Sequence, residues 1–176
     1  MSLVSWYVFF VRTGREEQVK QLINEWMDSE VYKPFIPLQE RLFKVAGIVK
    51  KEWAPLFPSY VFIESNLPDL QFVTSTNSMI CTSSDIIRLL RYSKFEASMR
   101  DSEKQMLESL CNDSYCIESS TGIIEGDNIR ILDGPLKGRG SIVKKIDRHK
   151  RQAVIQLEFM GDIRLVRVAL EIISKI

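Results

Sequence analysis

The spacing of apolar positions changes character along the chain, and each change marks an element. Residues 5–11 are an aromatic and β-branched run that reads as a buried strand. After the break at Arg12-Thr13-Gly14, Val19, Leu22, Ile23 and Trp26 recur every three to four residues, one face of an amphipathic helix. Thr13 is placed to cap it, with Glu16 three residues on completing a capping box. Residues 31–37 read as extended. Segments 41–45 and 49–53 form a hairpin about Ala46-Gly47, with Lys44, Lys50 and Lys51 near its tip. A proline-fixed turn at 54–59 leads to a strand at 60–64, and Leu67-Pro68-Asp69 starts a short helix over 67–74. A short apolar run at 86–90 and a helix at 102–110 follow.

From 111 to 126 the chain turns small and polar, with little to pack, and reads as a linker. Beyond it, runs at 128–132, 140–146, 153–159 and 163–168 are divided by turn signals, and three of them alternate clearly between apolar and polar residues. The expected architecture is an α+β domain over 1–111, an antiparallel sheet flanked by helices, a linker over 112–125, and an all-β domain over 126–176. Four or five short strands close most economically as a small SH3-like barrel.

Charge divides the same way. Residues 1–125 hold 13 Lys and Arg against 17 Asp and Glu, a net −4; residues 126–176 hold 11 against 6, a net +5. An anionic partner is therefore expected at the C-terminal end. The three cysteines form no CxxC pair and His149 is the single histidine, so neither a metal site nor a cofactor is expected. No nucleophile or paired-carboxylate pattern accompanies that histidine, which argues against an enzyme. No leader of the secretory kind is visible, so the cytoplasm is the expected location.

The loop Gly134-Pro135-Leu136-Lys137-Gly138-Arg139-Gly140 precedes a strand and lacks GxxxxGK[ST], which removes the phosphate-cradle reading. With Gly126-Asp127-Asn128-Ile129-Arg130-Ile131 before it and Ile142-Val143-Lys144-Lys145-Ile146-Asp147 after it, the segment resembles a KOW motif. Trp6-Tyr7-Val8 and Pro55-Leu56-Phe57-Pro58-Ser59-Tyr60-Val61-Phe62-Ile63 resemble the N-terminal domain of the NusG family. Ser59 stands where general NusG proteins carry glycine, and Met79-Ile80-Cys81-Thr82 replaces their Gly-Phe-Val-Gly. In these departures the chain is more similar to the specialised antiterminators of the RfaH and LoaP kind, LoaP above all.

That resemblance implies a monomeric transcription elongation factor whose N-terminal domain binds the clamp helices of RNA polymerase. The family's aromatic contacts fall on Phe10, Phe57, Tyr60 and Phe62. Phe62 in mid-strand is as readily core as contact, while Phe57 and Tyr60, beside two prolines, are expected to be exposed. A second polymerase contact falls on Thr74, Ser75 and Thr76, which as a segment after the second helix is equally a solvated loop. For the C-terminal domain the resemblance implies a structured RNA element, a nascent hairpin, or else Rho or a ribosomal protein. The candidate RNA contacts are Lys137, Arg139, Lys144, Lys145, Arg148, His149, Lys150, Arg151, Arg164 and Arg167, with 148–151 as a hairpin tip. A basic turn kept for solubility is the plain alternative. KOW barrels also occur in ribosome-associated proteins, but an acidic N-terminal portion fits those poorly. The β-branched content of the last fifty residues predicts a permanent β domain rather than a helical hairpin.

Overall fold

A computed structural model describes residues 4–176 of the chain. Two compact units emerge, one formed by the chain to Ile36 together with Phe57–Lys104, the other by Pro37–Leu56 and Gln105–Ile176.

In the first unit, β1 (Ser5–Val11) leads into α1 (Glu16–Trp26) and the short β2 (Lys33–Phe35). The chain leaves for the second unit through β3 (Leu38–Val45) and β4 (Ile48–Pro55), and returns as β5 (Tyr60–Ser65), α2 (Asp69–Thr82) and β6 (Ile86–Leu89). The sheet order is β2-β5-β1-β6, antiparallel throughout. Because alternate residues of a strand face opposite ways, β1 divides its aromatics between two layers. Tyr7 and Phe9 meet Phe72 of α2, the Tyr7 and Phe72 rings stacking at 3.7 Å. Trp6 instead packs edge-on against Phe35 and Phe62. Each such ring, fully buried, contributes about 1.5–3 kcal/mol.

Three local expectations differ from what is observed here. Thr13 does not cap α1: its hydroxyl pairs with that of Ser59 at 2.6 Å, and Glu16 accepts the Ser59 N–H at 2.8 Å instead of reaching back along the helix. Trp26 lies at the helix end and is 60% exposed, although its spacing puts it on the apolar face. The second helix is also longer than its expected span of 67–74. It continues to Thr82, with Thr74, Thr76 and Thr82 satisfying their hydroxyls by donating to the carbonyls of Leu70, Phe72 and Ser78 one turn back. Phe72, Thr76 and Met79 form its buried stripe.

The second unit opens with the β3–β4 hairpin, in register from Leu38 opposite Pro55 to Val45 opposite Ile48. Ala46 and Gly47 at its tip both have positive φ, the backbone twist a two-residue hairpin turn demands. After α3 (Asp101–Leu110), which spans both units, β7 (Cys116–Ile117) pairs in parallel with β3 at Leu38 and Gln39. The Ser119 N–H donates to the carboxylate of Glu40 at 2.7 Å, which lies 3.7 Å from the Lys51 ammonium. The hairpin therefore packs with the C-terminal half of the chain.

β8 (Ser120–Glu125), β9 (Asn128–Asp133), β10 (Val143–Asp147), β11 (Gln152–Phe159) and β12 (Asp162–Lys175) make one all-β sheet in the order β10-β11-β12-β8-β9. The expected linker at 112–125 thus carries two strands, and its Ser120, Ile123, Cys116 and Ile117 are buried. Its small residues are what allow this: Ser120 lies against the backbone of Gly134. β12 pairs antiparallel with β11 as far as Ala169, then runs parallel to β8 from Leu170. Alternating Ala153, Ile155, Leu157 and Phe159 fill the core with Val166, Val168 and Leu136. A closed barrel was the expectation, but no ladder joins β9 to β10, and the sheet stays open there. The loop between them docks on Ser120 and enters β10 through a single helical turn, Gly140–Ile142, so β10 pairs only with β11. Among the described residues, no helix is long and apolar enough to cross a membrane.

Candidate functional site

On β1 and β5, Val8 lies opposite Phe62 and Phe10 opposite Tyr60, so the four side chains share one face. Phe62 is wholly buried, with the rings of Trp6, Phe35 and Phe57 within about 6 Å. Phe57 is only 5% exposed, contrary to the expectation. The proline turn folds its ring back in near-parallel stacking on Phe62, whose apolar surface is worth more to it than water. Phe10 and Tyr60 are the pair that stays half-buried, rings 5.4 Å apart and tilted. The guanidinium of Arg88 lies 5.9 Å from the Phe10 ring, placed by the β1–β6 register that sets Arg88 opposite Phe10. Arg88 escaped the sequence reading because the pairing of β6 with β1 has no local signal.

The turn before Tyr60 is held under strain. Ser59 has φ +77, a left-handed conformation unusual for a residue with a side chain, and its carbonyl accepts the Val11 N–H. Its N–H is held by the buried carboxylate of Glu16 and its hydroxyl by Thr13. These bonds fix the strand entry that brings Tyr60 beside Phe10.

The hydroxyl segment is helix α2, not a loop after it. Thr76 is 1% exposed and bonded to Phe72 O, so it cannot touch a partner. Thr74 and Ser75 are exposed, but Thr74 donates to Leu70 O, while Ser75 donates to Phe72 O and accepts the Tyr32 hydroxyl. The acceptor lone pairs of Thr74 are what this segment offers outward.

In the C-terminal sheet, the turn joining β10 and β11 exposes Arg148, His149 and Lys150. It is closed by the Arg151 N–H on Arg148 O, and by the Lys150 N–H on the Asp147 carboxylate, a bond that draws that carboxyl below its ordinary range. Arg151 itself is half-buried at φ +51, with its guanidinium 3.8 Å from Glu171, so its charge is partly answered. The ladder places Lys145 opposite Val154 and Val154 opposite Arg167, one outward row beside the turn. Lys144 is exposed and donates to Ser141 O. Arg164 stands at the other end of β12, opposite Leu157, with its guanidinium 5.7 Å from the buried Phe159 ring. It therefore lies towards the end of the β11–β12 ladder away from the turn, while Lys137 of the glycine loop is exposed. Arg139 is half-buried and points at the Met106 sulfur.

Among the described residues, no group of His, Cys, Asp and Glu is arranged to hold a metal. Burial pushes the Cys111 thiol up to about 12 and the Cys116 thiol up to about 11, far from the thiolate state that a nucleophile requires.

Residues 4–108 match the family model described as "NusG: Transcription termination factor nusG". The "Transcription termination/antitermination protein NusG" of Staphylococcus carnosus (strain TM300) is 22% identical over 176 residues, 97% of this chain and 95% of that protein. A solved structure described as "Domain interaction in Thermotoga maritima NusG" aligns with a TM-score of 0.52 at 18% identity, covering 97% of this chain and 94% of its own. At that identity the likeness is one of fold.

Proposed function

The chain belongs to the NusG family of transcription factors, and on that premise we propose that it is a specialised paralogue acting as a processive antiterminator. In this reading the half-buried Phe10 and Tyr60, with Arg88 beside them, engage the clamp helices of RNA polymerase. Thr74 and Ser75 supply a weaker second contact, and Phe57, Phe62 and Thr76 shape the unit from within. The all-β domain, beginning at Ser120 rather than at 126, reads a structured element in the nascent RNA.

The observation that carries the proposal is the turn 148–151, whose Arg148 and Lys150 are exposed, flanked by Lys145 and Arg167, in a chain whose first 125 residues are net negative. Lysine and arginine so concentrated on one turn suit phosphates, and each contact made there releases counterions. Ser59 supports the specialised reading: a strained residue stands where the general family pattern has glycine, the residue that turn geometry favours.

The test joins two assays on the full chain. Phe10→Ala with Tyr60→Ala is expected to abolish co-purification of RNA polymerase while the circular dichroism spectrum stays unchanged. Arg148→Glu with Lys150→Glu is expected to remove readthrough of a downstream terminator and to lower the salt slope of RNA binding by about two. Polymerase capture by the folded double variant would overturn the aromatic contact. Readthrough that survives the charge reversal, or termination raised instead of suppressed, would overturn the antiterminator reading.

A further inference from the structure

β3 is paired along its whole length by β4, but on its other side only at Leu38 and Gln39, by β7. Its second edge, from Glu40 to Lys44, opens onto a groove of about 420 Å³. The opposite wall is the turn residues His149, Lys150 and Arg151, with Val168 and Ala169 of β12 at the base. Both walls belong to the second unit.

Three properties of this groove point to its occupant. Its charge is positive: the carboxylates in its lining are already engaged, Glu40 by the Ser119 N–H and Lys51, Glu52 by Arg41 at 3.9 Å. Lys44 and Lys150 are left exposed on the two walls, with His149 beside them as a hydrogen-bond donor. Its aromatic is available: Phe43, 36% exposed, lines the same groove, whereas Phe159 of the β domain is sealed in the core. Its size is that of a pocket for a small ligand or a single nucleotide, ~300–1,000 Å³, and excludes a double helix. An aromatic face between cations on an open strand edge is the combination that holds unpaired bases, one stacked and its phosphates neutralised.

We propose that this groove takes a single-stranded RNA segment, with one base stacked on Phe43 and the adjoining phosphates on Lys44, His149 and Lys150. The inference rests on the assignment of the turn 148–151 to RNA and extends it. Structured RNA held by the turn continues as an unpaired flank along the β3 edge, so the β3–β4 hairpin becomes part of the RNA interface. The strand edge contributes backbone N–H and C=O groups that hydrogen-bond base edges.

The full chain is titrated at low salt with labelled oligouridylate, with a blunt RNA duplex and with polyglutamate. Oligouridylate is expected to bind, and Phe43→Ala to weaken it by about tenfold or more, the effect of losing one base–aromatic stack. Phe43→Leu, which keeps apolar cover over the strand, is expected to be equally weak, and Phe43→Trp to bind at least as well as the native chain. Duplex binding is expected to ignore all three. Unchanged oligouridylate binding in Phe43→Ala and Phe43→Leu overturns the groove. Polyglutamate bound as tightly as oligouridylate overturns it in favour of an acidic peptide on the same strand edge. If the duplex loses affinity with Arg148→Ala and Lys150→Ala while Phe43 variants bind oligouridylate normally, the groove fails and the turn stands. Absence of binding by every RNA probe sinks both.

Discussion

Replacing Gly134 by alanine tests whether the glycine loop is a structural clasp. Gly134 has φ +97, and a Cβ there would lie 2.6 Å from Ser120 Cα and 2.8 Å from Ser119 O. Those neighbours are backbone of the segment leading into β8 and cannot swing aside. Two residues on, Leu136 is fully buried and its N–H donates to the Ser120 hydroxyl at 3.1 Å. The left-handed backbone costs a substituted residue ~1–2 kcal/mol, and the overlap ~1–3 kcal/mol. Loss of the Leu136 bond adds about 1 kcal/mol. Together these come to ~3–6 kcal/mol, comparable to the lower end of a typical domain's stability of ~5–15 kcal/mol. Gly138 in the same loop is an internal control, since it has φ +74 but nothing within 4 Å of its would-be Cβ. Its alanine variant should lose only the conformational part. Hydrogen exchange at the amides of Ile155 and Val166, read with urea unfolding followed by circular dichroism, reports the β domain separately from the first unit. A Gly134→Ala variant that loses under ~1 kcal/mol, or no more than Gly138→Ala, would refute the clasp.

Asp69 offers a pH test. Burial works against ionisation of its carboxyl, but donation from the Ala97 and Ser98 N–H groups and the Tyr7 hydroxyl outweighs that and holds its pKa low. A carboxyl lowered in the folded state stabilises above its unfolded pKa, and that contribution is lost as pH falls through the folded value. The stability gap between the native chain and Asp69→Asn should therefore shrink from pH 5 towards pH 2; a gap that is constant or widens refutes the assignment. Thiol labelling gives a second check. At pH 8, Cys81, exposed on α2, should react first, and the buried Cys116 and raised Cys111 should lag until urea is added. Three equal rates in the native chain contradict the burial. Finally, Glu16→Ala should destabilise the first unit by ~1–3 kcal/mol by leaving the Ser59 N–H unpaired, as measured by urea unfolding of the Trp6 environment.

Much of the chain was legible from period alone. The strands at β1, β5, β11 and the first half of β12, the amphipathic α1 and the Ala46-Gly47 hairpin each announce themselves within a few residues, because local twist and side-chain alternation decide them. The charge division and the family resemblance are likewise properties of order in the sequence. Elements stabilised by distant partners were not legible. β8 reads as a linker because its Ser120, Thr121 and Gly122 pack only once Gly134 and β12 lie beside them. The far half of α2 reads as a loop because its run of Thr, Ser and Asn has low helix propensity, and the helix is supported by tertiary burial of Phe72, Thr76 and Met79.

The candidate site shows the same division. Residue types named the surfaces: aromatics beside prolines, cations around a turn. Only tertiary packing decided which of them face outward. Phe57, Phe62 and Thr76 are consumed by the interior: the aromatic rings gain from an apolar layer, and the Thr76 hydroxyl is buried at little cost because it donates to Phe72 O. Phe10, Tyr60 and the unpredicted Arg88 are brought together by strand register, and Phe43 is brought to the 148–151 turn by the packing of β3 with the C-terminal sheet. A linear sequence carries the chemistry of each side chain, but neighbours far apart along the chain meet only through the fold, and that meeting sets which charges and rings a partner can reach.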